Sequence, residues 1–204
     1  MEIPSKYLSK AVEEIASLPG IGKKSALRIA LHLLRQPAKD TEQLSKSLVE
    51  LVTIAKSCII CHNVSDEEIC PICADSRRNK AQICVVEDIR DVMAIESTGT
   101  YSGVYHVLGG LISPMEGISP ADLNISTLIK KLEESTVSEV IFALSPTLEG
   151  DTTNFYLFKK LQSFGVFVST LSRGIAVGSE LHYADELTLG RSLQHRQPFS
   201  LQQK

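Results

Sequence analysis

The sequence predicts an α/β protein in four successive parts: an N-terminal helical region, a four-cysteine zinc ribbon, a mainly parallel sheet flanked by helices, and a C-terminal segment. Three observations carry this. Cys58, Cys61, Cys70 and Cys73 form two CxxC pairs with eight residues between them; the apolar residues before them recur at helical spacing; and the short apolar runs after them alternate with amphipathic stretches.

Taken in order, residues 5–17 place Tyr7, Leu8, Val12, Ile15 and Ala16 on one helical face, and residues 24–35 repeat the pattern with Leu27, Ala30, Leu31 and Leu34. Pro37 stops the second helix. Thr41 is expected to cap a third, with Leu44, Leu48, Leu51, Val52 and Ala55 as its apolar stripe. The four cysteines follow. Soft thiolates suit Zn²⁺, and a complete set leaves no open coordination position, so the metal is expected to fold the segment and not to perform chemistry. His62, beside Cys61, reads as an exposed loop residue.

Beyond the ribbon, QICVVE, GVYHVL, SEVIFAL and VFVSTL read as buried strands. Between them lie helical patterns at 89–97, at about 121–135 with Ser119-Pro120 as cap and first-turn proline, and at 152–163, closed by Gly165. Strand and helix alternating in this way predicts parallel strands with helices on both faces. Residues 113–120 read as a long surface loop. Cys84, inside the apolar run ICVV, reads as a small buried hydrophobe.

With 204 residues, 43% of them hydrophobic and 22% charged, the chain fits an ordinary folded protein with a substantial core. The N-terminus has no signal-like apolar stretch, and no run approaches the ~20 apolar residues of a membrane span, so a cytoplasmic protein is expected. The net charge of -3 hides an asymmetry: residues 1–57 carry nine Lys/Arg against six Asp/Glu, residues 58–80 three against four, and residues 81–204 nine against fourteen. Residues 18–36 hold Lys23, Lys24, Arg28 and Arg35 with no acid. Nucleic-acid backbones reward that local concentration, whereas the acidic remainder weakens long-range attraction, so several copies acting together bind better than one. Arg77, Arg78 and Lys80 either extend this footprint or solubilise a linker.

Two glycines interrupt the helices just before the basic stretch, in LPGIGKKSA. Gly20 and Gly22 allow backbone conformations and close approaches that a Cβ blocks, so the amides at the head of the next helix can meet a phosphate beside Lys23, Lys24 and Arg28. The segment resembles a helix-hairpin-helix motif, the sequence-independent DNA-backbone module of many repair proteins. Glu87 ends one strand and is followed by Asp88 and Asp91; a later strand runs into Ser145, Thr147, Glu149 and Asp151. These strand ends resemble the Toprim domain of topoisomerases and primases, in which a glutamate and an Asp-x-Asp hold Mg²⁺. Ser145 and Thr147 stand where the two aspartates belong, which argues against phosphoryl transfer. No catalytic residues are expected, and the acidic rim of Glu87, Asp88, Asp91, Glu149 and Asp151 is either a solvated edge or a docking surface for a basic partner, with or without weakly held Mg²⁺.

The succession of hairpin, ribbon, degenerate Toprim domain and a C-terminal stretch from Arg173 to Glu186 resembles the RecR family of bacterial recombination mediators. Family members usually carry proline where Ala176 stands and often an acid where His182 stands. The resemblance implies a helix-hairpin-helix DNA-binding region at 1–57, a zinc finger with one structural Zn²⁺ at 58–73, a Toprim-like domain at 81–172 and an assembly segment at 173–204. It further implies a nucleoid-associated, ring-shaped homotetramer that encircles single-stranded, duplex or gapped DNA. Such a ring would work with RecO and RecF to help RecA displace single-strand-binding protein. A Toprim-type Mg²⁺-dependent nuclease or primase-like enzyme is the alternative.

Overall fold

The computed structural model describes residues 3–172, 174–175, 177–196 and 198. Arg173 and Ala176 of the C-terminal stretch lie outside the described residues. The chain divides into two compact units, 1–55 and 56–204.

The first unit contains α1 (Lys6–Ala16), α2 (Lys23–Leu33) and α3 (Ala38–Ile54). Ser5 caps α1 by accepting from the Leu8 amide at 3.4 Å. Val12 of α1 and Ala26 and Ala30 of α2 form a small core, with Leu8, Ile15, Ile21 and Leu27 packed around it. Small alanines let the two helices approach closely. The third helix starts earlier than expected. Pro37, at φ −56° and ψ 140°, turns the chain out of α2, and its carbonyl accepts from Asp40 N at 3.0 Å, so the first turn closes there and Thr41 lies inside the helix. No residue of α3 is buried, and Leu44, Leu48, Leu51 and Val52 are exposed.

The second unit opens with β1 (Lys56–Ser57) paired antiparallel with β2 (Val64–Ser65), followed by α4 (Pro71–Ala74). This strand pair draws Lys56 and Ser57 into the ribbon. The sheet consists of β3 (Asn79–Val86), β4 (Gly103–Val107), β5 (Glu139–Phe142) and β6 (Phe167–Thr170), all parallel in the order β4-β3-β5-β6. Helices α5 (Ile89–Ser97), α6 (Ile125–Glu134) and α7 (Leu148–Leu161) connect the strands, and α8 (Glu186–Gln194) follows, capped by Asp185. Period-two alternation divides β3 cleanly: Ile83 and Val85 join the larger core with Leu128 and Leu132 of α6 and Leu157 and Leu161 of α7, while Cys84 and Val86 face Val92 of α5. Ile72 of α4 packs onto the second face, which brings the ribbon against the sheet.

Three sequence expectations change. Strand β6 is an edge strand with Phe167 exposed, not a buried one. Ser119-Pro120 begins a short 3₁₀ turn, Pro120–Asp122, because Leu123 is extended, and α6 starts only at Ile125. Helix α7 starts at Leu148 because Thr147 caps it, accepting from Gly150 N at 3.1 Å. The segment 113–120 is the surface loop expected, and hydrogen bonds between Ser113 and Ile118 close it around a 3₁₀ turn, Pro114–Glu116.

Arg78 also departs from expectation, being neither footprint nor solubiliser. Its Nη1 donates to Glu96 Oε1 at 2.9 Å, Tyr101 O at 3.2 Å and Gly103 O at 3.3 Å. Its Nη2 pairs with Glu96 Oε2, and Tyr105 donates its hydroxyl to Glu96 Oε1 at 2.7 Å. The Arg78 hydrogen bonds hold the Glu96 carboxyl below the usual glutamate range. A carboxyl depressed in the folded state contributes stability that is present at neutral pH and lost as pH falls through its lowered value. Arg78→Ala strands a half-buried acid and two carbonyls; it is expected to cost about 2 kcal/mol at neutral pH in urea unfolding, and less in acid.

Candidate zinc centre and nucleic-acid interface

Cys58 and Cys61 sit on the turn between β1 and β2, and Cys70 and Cys73 at the head of α4. All four are buried, and their sulfurs lie within 4.8 Å of one another, with Cys61 and Cys70 at 3.5 Å. A tetrahedral zinc thiolate with bonds of about 2.3 Å places its sulfurs about 3.8 Å apart, so the donor set fits one Zn²⁺. Backbone amides already point at sulfur: Cys70 N donates to Cys58 Sγ at 3.3 Å and Cys73 N to Cys70 Sγ at 3.5 Å. A hydrogen bond from the Cys73 thiol lowers Cys61 to about 5, while burial raises Cys70 to about 11. Cys84 stands apart as an inert core thiol that burial pushes up to about 12.

His62, expected on an exposed loop, is half-buried and anchors the ribbon. Its φ of 63° is the one positive value outside glycine among the described residues, at the point where the turn reverses after Cys61. Its Nε2 lies 2.8 Å from Thr127 Oγ1 of α6. Because Thr127 gives its own proton to Asn124 O at 2.8 Å, His62 is the donor. The His62 ring meets His106 edge-on at 5.4 Å. His106 is buried, donates Nε2–H to Asn124 O at 2.7 Å, and is kept neutral by burial, which lowers it to about 3. Val107 N donates to Cys61 O at 2.8 Å. The ribbon thereby covers the edge strand β4.

The basic hairpin lies in the other unit. Ile21 N donates to Leu18 O at 3.1 Å across Pro19 and Gly20, and Gly20 has φ 77°, the signature of a type II turn. Only this glycine requires its special conformation. Gly22, at φ −81° and ψ 161°, adopts ordinary extended backbone, and nothing lies within 4 Å of where its Cβ would be, so the space beside it is open from outside. As the N-cap of α2 it offers no side-chain acceptor, and the amides of Lys23, Lys24 and Ser25 have no intrahelical partner. Lys24, Arg28, His32 and Arg35 follow at one-face spacing and line a single shallow groove along α2. Lys23 is exposed at the helix head and does not line that groove.

At the carboxyl edge of the sheet, Ser145 Oγ donates to Glu87 Oε2 at 3.4 Å, so the ends of β3 and β5 meet as the parallel order requires. Burial, with Asp91 and Asp88 nearby, raises the Glu87 carboxyl. Asp91 accepts from the amides of Glu87 and Asp88 at 3.1 and 3.2 Å, and Asp88 accepts from Arg90 N at 2.7 Å while pairing with its guanidinium. These two acids are committed to capping α5. Glu149 lies in the first turn of α7, and Asp151 is 3.7 Å from Arg191 of α8. Gly150 is required here: a Cβ would come within 1.9 Å of the Ser145 carbonyl. Among the described residues, three or more metal-ligating groups converge only at the four cysteines.

Comparison with known proteins reproduces this order. Residues 8–52 match the family model described as RecR, helix-hairpin-helix; 55–75 match the RecR four-cysteine zinc finger domain; 81–172 match Toprim domain; and 174–197 match RecR, C-terminal. The chain is 58% identical over 199 residues to recombination protein RecR of Flavobacterium johnsoniae, covering 98% of this chain and 97% of that one. It is 56% identical over 197 residues to RecR of Porphyromonas gingivalis (97% and 95% covered) and 53% identical over 199 residues to RecR of Bacteroides thetaiotaomicron (98% and 97%).

The chain belongs to the RecR family. Membership places it among recombination proteins and makes the four-cysteine cluster the zinc finger of a RecR. In this RecR-family chain the Toprim edge carries hydroxyls at Ser145 and Thr147, one bonded to Glu87 and the other spent on capping α7. No helix of the described residues is long and apolar enough to cross a membrane.

Proposed function

We propose that this RecR-family protein is a non-enzymatic, sequence-independent DNA-binding mediator that acts as a multi-copy clamp. The observation that carries the reading is the acid-free stripe of Lys24, Arg28, His32 and Arg35 behind a type II turn whose Gly22 leaves the helix-head amides open. Amides and cations in that arrangement recognise phosphate and not base edges, so contact is to the backbone. Gly20 and Lys23 contribute the turn and further charge. The uncovered stripe of α3 supports assembly through the N-terminal helices, since Leu48, Leu51 and Val52 at 57%, 62% and 81% exposure gain by being covered. A homotetrameric ring on gapped, single-stranded or duplex DNA, aiding RecA loading with RecO and RecF at the nucleoid, is the form that family resemblance supplies. Regions 1–57, 58–73, 81–172 and 173–204 then serve DNA contact, metal-dependent folding, partner docking and assembly.

The acidic edge supports docking over catalysis. A metal-dependent phosphoryl transferase needs several ionised carboxylates on one cation. Here Asp88 and Asp91 are held in capping, and two hydroxyls occupy the paired-aspartate places. Glu87 and Glu149 remain for a basic surface of a partner such as RecO. Glu87→Ala is expected to weaken RecO association in a pull-down or titration while leaving DNA retention unchanged. Unchanged association, together with loss of a Mg²⁺-dependent DNA cleavage that the unsubstituted protein performs, would replace this reading by the enzymatic one.

A further inference from the structure

Lys131 stands on α6 one turn beyond Thr127, and its Nζ is buried with no hydrogen-bond partner among the described residues. The adjacent Lys130 points outward and pairs with Glu134 at 3.7 Å, as a surface lysine does. Neighbouring positions on the same helix, Leu128 and Leu132, are core hydrophobes. An ammonium in such a place costs several kcal/mol unless an opposite charge faces it. Lys131 lines one cavity of about 340 Å³ together with Cys73 and Ile60 of the ribbon and with Lys80 and Glu134, and Glu134 is paired with Lys130 and makes no hydrogen bond to Lys131. Burial pushes the Lys131 ammonium toward neutrality, and the opposing influences are the four cysteines Cys73, Cys61, Cys58 and Cys70.

A loaded tetrathiolate centre carries excess negative charge, because four thiolates outweigh one Zn²⁺. The amide donors of Cys70 and Cys73 soften that charge but do not neutralise it. We propose that Lys131 is the built-in counter-ion of the zinc centre, a positioning residue reaching from α6 across the ribbon contact. Zinc retention then depends on the docking of the ribbon onto α6, where His62 bonds Thr127 one turn earlier. Removing the ammonium leaves the charge of the loaded centre uncompensated, whereas removing the metal frees the ribbon that buries the ammonium.

The test uses the full-length, zinc-loaded protein and a chromogenic chelator that competes for the metal. Lys131→Met, which keeps the length and removes the charge, is expected to weaken zinc affinity by about 10–100-fold, whereas Lys131→Arg stays close to the parent and Lys130→Met does not differ from it. After metal removal, Lys131→Met is expected to melt no lower than the metal-free parent, because without the ion the ribbon no longer covers the ammonium and there is no thiolate charge left to balance. A merely structural lysine would give the opposite pattern, with lower melting in both states and unchanged metal affinity. Parental zinc affinity in Lys131→Met, or equal weakening by Met and Arg, overturns the proposal. Should Lys131→Met not fold, Lys131→Gln carries the neutral arm with the same outcomes.

Discussion

Lys24→Ala combined with Arg28→Ala is expected to lower DNA affinity by at least about 100-fold at moderate salt, and to reduce the slope of log affinity against log salt by about 2 for each copy engaged. Both side chains are exposed on the groove face of α2, one turn apart, and the core beneath them rests on Ala26, Ala30 and Val12. Removing the two cations therefore leaves the helices packed and the exposed apolar stripe of α3 unchanged. Loss is multiplied in a clamp, because every copy surrenders the same contacts and the effective concentration that joined them falls away. Fluorescence anisotropy with a labelled oligonucleotide, beside a mass measurement, separates the alternatives. Parental retention by a folded, fully assembled double variant would refute the DNA-contact role of the hairpin.

Removing zinc is expected to have the largest effect on stability. In a closed four-cysteine site, binding free energy is folding free energy, of order 10 kcal/mol. Cys70→Ser, or a strong chelator, should unfold the ribbon, release the Val107–Cys61 and His62–Thr127 contacts, and uncover the edge of β4. A fall in melting temperature of at least about 10 °C is predicted for the second unit. The first unit has its own core and should keep its helical signal. An unchanged melting profile after verified metal loss would show that the ribbon folds without its ion.

The zinc ligands and the sheet were legible because each rests on local spacing. The CxxC pairs announce the donor set, and QICVVE announces β3 as a short continuous apolar run, whose alternate residues the structure assigns to two cores. Helix starts were less legible where local signals competed. Ser119-Pro120 has the form of a cap and first turn, yet the extended Leu123 breaks the helix after one 3₁₀ turn. Gly150 precedes the helix expected at 152–163, yet it sits in α7, where it clears the Ser145 carbonyl. Gly20 and Gly22 look alike in sequence, and only the backbone shows that one serves the turn and the other leaves open space. Nothing in the sequence joins Arg78 to Glu96 or His62 to Thr127, 65 positions away; long-range partners of this kind follow from tertiary packing. The orphan ammonium of Lys131 was hidden for the same reason, since only the packing of α6 distinguishes it from the adjacent Lys130.

The clamp account is tested most directly by titrating DNA binding of the unsubstituted protein against sodium chloride while measuring the mass of the species that binds. Several basic hairpins gripping one backbone predict a multi-copy complex whose log affinity falls steeply and linearly with log salt, with a slope well beyond the roughly two to four phosphates one hairpin can neutralise. A binding species that is a single chain, or an affinity indifferent to salt, would contradict it.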